Sequence, residues 1–109
     1  MEPLSATPPK PLRWRDLAET CQYIEDTYEV NLTLELSFGL HATRGWCSTV
    51  VALYQPSVFS PHYGRRSRIV ITKQAYLGPD YSLPQLLYKA LWEGEQKIRL
   101  LWPMSRMTE

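Results

Sequence analysis

The chain holds little from which a catalytic centre or a covalent framework is built: two cysteines, two histidines and five glycines in 109 residues. Cys21 falls in a predicted helix and Cys47 in a predicted strand, both among apolar neighbours. Free buried thiols are therefore expected rather than a disulfide, which suits a reducing cytoplasm. Cys21, His41, Cys47 and His62 lack the close ligand pairing of zinc sites, so no metal is expected. A nucleophile pair of Cys47 with His41 or His62 is disfavoured, because the strand would bury the thiol. Without a glycine-rich phosphate loop or a paired-carboxylate signature, neither a cofactor nor a small-molecule substrate is expected, and the chain does not read as an enzyme.

Long apolar runs are also missing. None approaches the roughly 20 residues of a membrane span. The opening "MEPLSATPPKP" carries an acidic Glu2 and no apolar core, so it does not read as a secretory signal. Charge of one sign is missing too. The formal net charge is +1, so bulk electrostatics does not select a nucleic acid as partner. Phenylalanine is scarce, two residues against four Trp and seven Tyr. Rings with a polar handle suit half-buried surfaces and interfaces.

What is present reads as a proline-rich arm over residues 1–11, a single α+β domain over 12–103 and a short tail over 104–109. Trp14, Leu17, Cys21, Ile24 and Tyr28 recur at steps of three and four and predict one apolar stripe on a helix. In "VNLTLELSF" (Val30 to Phe38) apolar and polar residues alternate strictly, the mark of a half-buried strand. "GLHATRG" turns the chain, and "WCSTVVALY" predicts a central strand. After the proline-interrupted loop "QPSVFSPHYG", "RRSRIVITK" predicts a third. Ser82 and Gln85 form a capping box with Pro84 in the first turn. The helix so started carries a core stripe of Leu83, Leu86, Leu87, Ala90, Leu91, Ile98 and Leu101 and stops at Pro103. The expected fold is α-β-β-β-α, a three-stranded antiparallel meander with both helices packed on one face.

Two surfaces stand out as places for a partner. Trp92 points roughly opposite the core stripe of the last helix, with Tyr88 one turn before it and Leu100 two turns after. Trp and Tyr are favoured anchors, so this face is a candidate for a protein partner or self-association. Charge placement supplies the second surface. Asp16, Glu19, Glu25, Asp26, Glu29 and Glu35 form a stretch without Lys or Arg, whereas Arg44, Arg65, Arg66, Arg68 and Lys73 form one without acid. Glu25, Asp26 and Glu29 sit at the wrong end of their helix for its dipole, which calls for compensation from the basic stretch or from a partner.

Arg44, His62, Tyr63, Arg65, Arg66 and Arg68 make a candidate basic patch, because arginine forks suit phosphate and Tyr63 suits an unpaired base. Arg66 and Arg68 are expected on the strand face opposite Ile69 and Ile71. The plainer account is that they guard an edge strand against pairing. The α-β-β-β-α order, with Gly39 and His41 after the first strand, is similar to the double-stranded RNA-binding domain. That family places lysines at the start of its last helix, where this chain reads "GPDYSLPQ" with Asp80 and no Lys. The chain is not assigned to it. "PPKPLR" (Pro8 to Arg13) fits a ligand of SH3-type grooves, although the same residues also read as a plain leader. The expectation is a small binding or accessory domain acting on another protein, with a size and a missing catalytic signature that fit an accessory protein of a phage or mobile element. Nucleic-acid binding through the arginine patch is the alternative.

Overall fold

Apolar side chains at helical spacing organise the first described element, α1 (Trp14–Tyr28), which buries Leu17, Ile24 and Tyr28 and half-buries Cys21. Then follow β1 (Val30–His41), β2 (Gly45–Pro56), β3 (Ile69–Tyr76) and α2 (Leu83–Leu101). The computed structural model describes residues 14–64 and 68–103. The proline-rich arm with its SH3-type motif, Arg65, Arg66 and the tail lie outside them. The three strands form one antiparallel sheet in the order β1-β2-β3, the expected meander, with β1 and β3 as its edges.

The register shows which face is the core. Leu32, Leu34 and Leu36 stand opposite Tyr54, Ala52 and Val50, and Ile69 and Ile71 stand opposite Tyr54 and Ala52. Residues opposite one another share a face. This face carries buried Val30, Val50, Ala52, Tyr54, Ile69 and Ile71, packed with Leu86, Leu87, Ala90, Leu91 and Ile98 of α2. Both helices therefore cover one side of the sheet, as the apolar alternation predicts.

Local chemistry fixes the junctions. Glu29 alone links α1 to β1, at φ 53° in the left-handed region, and its carbonyl accepts from the Ser57 N–H at 2.8 Å. Ala42, Thr43 and Arg44 make the β1–β2 turn, and Gly45 at φ 84° closes it, a conformation that costs glycine little. At the start of α2 the Ser82 hydroxyl accepts from the Gln85 N–H at 3.3 Å, as the capping box predicts.

Four expectations need correcting. β1 runs on to His41, because Leu40 continues the alternation past Gly39, so Gly39 and His41 are strand residues. β3 begins at Ile69 and ends at Tyr76 rather than running from Arg65 to Lys73. Trp14 and Leu101 are exposed rather than core, each being the terminal residue of its helix. At the far end Trp102 takes the buried place, turning under as its N–H donates to the Ile98 carbonyl at 2.8 Å.

The core also holds polar groups that apolar periodicity does not reveal. The Tyr28 hydroxyl donates to the Glu95 carboxylate at 2.5 Å, both residues being buried. The Tyr54 hydroxyl donates to the Ala90 carbonyl at 3.1 Å. Its ring lies where a Cβ on residue 94 would be, so only glycine fits there. Burial, followed by the hydrogen bond to Glu95 and its charge, holds the Tyr28 phenol well above its ordinary pKa. Burial likewise raises Tyr54, with the charges of Cys21 and Glu95 adding to it.

Candidate functional site

A helix of 15 residues is about 22 Å long and a strand of 12 about 40 Å, so α1 cannot cover β1 from end to end. The uncovered half is apolar. Leu36, Phe38, Leu40 and Trp46 are 44%, 55%, 67% and 53% exposed, all on the helix side of the sheet. Leu40 stands directly opposite Trp46, and Phe38 and Leu36 follow at two-residue steps along the same face. The four thus form one row, not a scatter of surface side chains.

The same strand offers its backbone. The Trp46 carbonyl accepts from the Leu77 N–H at 2.9 Å, so the even-numbered residues of β2 turn their backbone groups toward β3. Their partners on β1 then turn theirs away from the sheet. Leu32 agrees with this phase, because its N–H donates outward to the Glu25 carboxylate of α1 at 3.0 Å. Among the described residues no side chain does the same for Leu34, Leu36, Phe38 or Leu40. Between Leu34 and Leu40 the edge has no lysine, proline or bulge, the usual guards against pairing. Glu35, its one charge, projects from the opposite face, beside Thr33, Val51, Leu53, Arg68 and Val70.

The expected basic patch is divided. Arg44, in the β1–β2 turn, places its guanidinium 5.4 Å from the centre of the Tyr76 ring, and His41 meets that ring edge-on at 6.0 Å. His62 and Tyr63 lie in the loop beyond the other end of β2, so a strand of about 40 Å separates them from Arg44. The His62 Nε2 donates to the Pro103 carbonyl at 2.9 Å, while Tyr63 is exposed. Arg68 is exposed beside Val70, on the face opposite Ile69 and Ile71, as the strand parity predicts.

The expected helix face is also less open than its periodicity suggests. Tyr88 packs against the core, Trp92 is half-buried, and only Leu100 is fully in solvent. The helix buries a broad arc, Leu86, Leu87, Ala90, Leu91, Gly94, Glu95 and Ile98, because it contacts α1 as well as β2 and β3. The acidic end of α1 finds amide donors: Glu25 takes the Leu32 N–H, and the Gln22 Nε2 donates to Asp26 at 2.9 Å.

Cys21 and Cys47 are free and half-buried, and burial together with the Glu25 charge raises the Cys21 thiol pKa. Among the described residues no group of three or more His, Cys, Asp or Glu is placed to hold a metal ion. No described helix is long and apolar enough to cross a membrane. The bare half of the hairpin was missed at the level of sequence, although its signal is there: the alternation that begins at Val30 does not stop at Phe38, and Trp46 opens the next strand. Comparison with protein-family models, with curated proteins and with solved structures finds no match to this chain.

Proposed function

We propose that the chain is a non-catalytic binding domain that docks another protein through the bare half of the β1–β2 hairpin. One observation carries this reading. Leu36, Phe38 and Leu40, with Trp46 beside them on β2, stand on the same half of the hairpin as the outer β1 backbone groups that no described side chain takes up. A strand added to such an edge gains main-chain hydrogen bonds and side-chain contacts together, the usual form of recognition by β-augmentation. The Leu100 end of α2 is a smaller apolar surface and takes no part in it.

The test is affinity capture from the native host with nuclease treatment, comparing wild type with Phe38→Lys and with Arg44→Ala/Arg68→Ala. The expected result is a nuclease-resistant protein partner that Phe38→Lys loses and the arginine variant keeps, with circular dichroism unchanged. Retention of nucleic acid with steep salt dependence, abolished by the arginine variant, would overturn the reading in favour of the nucleic-acid alternative.

A further inference from the structure

The partner that fits this edge most completely is a second copy of the chain. We infer that two copies pair β1 against β1 antiparallel, with the two-fold axis at Ser37, to make one continuous six-stranded sheet. This rests on the reading of the hairpin as a docking edge.

In the stretch Leu34-Glu35-Leu36-Ser37-Phe38-Gly39-Leu40 the outer positions 34, 36, 38 and 40 are all apolar and lie symmetrically about Ser37. Laid antiparallel on itself, it sets Leu34 opposite Leu40 and Leu36 opposite Phe38, and Ser37 meets its own copy. Every pair that exchanges outer hydrogen bonds is then apolar, with side chains on the helix side. Glu35, the one charge, meets Gly39 and not a second Glu35. Like charges directly opposite one another would oppose the pairing.

Coverage is complementary as well. The helix-covered half of one β1, with half-buried Leu32 and Leu34, lies beside the bare half of the other, with Leu40. Opposed residues share a face, so the helices of both copies stay on one side of the joined sheet. The exposed surface of Leu36, Phe38, Leu40 and Trp46 with the backbone edge, an upper bound on what pairing buries, is roughly 1,000 Å² over both copies, near the lower limit of a specific interface. A concentration-dependent dimer is therefore expected rather than a permanent one.

Sedimentation velocity over a concentration series tests this on the full chain, together with a covalent probe. Wild type should shift from monomer to dimer, and Phe38→Lys should remain monomeric with unchanged circular dichroism. Ser37→Cys should form an interchain disulfide under mild oxidation, because the axis brings the two thiols together. Thr33→Cys should not exceed the wild-type background from Cys21 and Cys47, since residue 33 falls opposite residue 41. A wild type that stays monomeric to its solubility limit overturns the inference, as does a dimer indifferent to Phe38→Lys or one cross-linked as well through residue 33 as through 37. If the chain is monomeric yet loses its captured partner with Phe38→Lys, the self-pairing fails while the docking edge stands. If Phe38→Lys affects neither, both fail.

Discussion

The hydroxyl of Tyr28 and the carboxylate of Glu95 meet at 2.5 Å inside the core, 67 residues apart in sequence, and join α1 to α2. Tyr28→Phe leaves the buried carboxylate without that donor. A buried acceptor that loses its partner costs about 1–3 kcal/mol. The melting temperature should fall accordingly, while Glu95→Gln, which retains an oxygen acceptor, should cost less than Glu95→Leu. Equal melting of Tyr28→Phe and wild type would show that the bond contributes nothing net.

Gly94→Ala should be far more damaging than a methyl group on a helix usually is. The added Cβ falls on the Tyr54 ring, which must move and give up its hydrogen bond to the Ala90 carbonyl. Overpacking of this kind costs ~1–3 kcal/mol, on top of the lost bond. Shrinking the ring should relieve the overlap, so Gly94→Ala/Tyr54→Leu should be less unstable than the sum of its parts in urea unfolding. Strict additivity would place the damage elsewhere.

Alkaline pH should unfold the protein through its buried tyrosines. The phenols of Tyr28 and Tyr54 are both raised, chiefly by burial. In the unfolded chain tyrosine loses its proton near pH 10. Above that pH the unfolded state sheds protons that the folded state retains, and linkage drains stability. Stability from these groups is thus complete below about pH 10 and falls as pH rises beyond it. Urea midpoints measured across this range should drop less steeply for Tyr28→Phe and Tyr54→Phe than for wild type.

Glu29 carries the left-handed backbone between α1 and β1. Substitution by a β-branched residue there should destabilise the fold by roughly 1–2 kcal/mol, because Cβ crowding in this region grows with branching. Glu29→Gly should be tolerated far better. Chemical denaturation of Glu29→Val beside Glu29→Gly measures the difference, and no difference would mean that the junction relaxes freely.

Apolar spacing made most of this fold legible. Leu17, Ile24 and Tyr28 on one helix, Leu86, Ala90 and Ile98 on the other, and the alternation from Val30 to Phe38 each name their buried face directly. Spacing does not report how far an opposing element reaches, and so Leu36 and Phe38, which the alternation places on the covered face of a half-buried strand, stand in solvent. Nor does it show that Glu95 and Tyr28 will meet, since one polar residue in an apolar arc looks like an interruption. The basic residues were grouped by nearness in sequence and by sign. The length of β2 then parted Arg44 from His62 and Tyr63, which no local pattern reveals.

The bond from the Leu32 N–H to Glu25 has a consequence of arithmetic. Outer backbone positions on β1 recur every second residue, and by occupying Leu32 the first helix leaves four of them beyond it, at Leu34, Leu36, Phe38 and Leu40. Four is an even count, and an even row has its midpoint between positions, at a residue whose backbone faces inward. A helix that ended its grip one position earlier would leave five, and the midpoint would fall on an outer residue, Leu36. If a chain adds to this edge as proposed, one carboxylate on α1 sets where along the strand it starts counting.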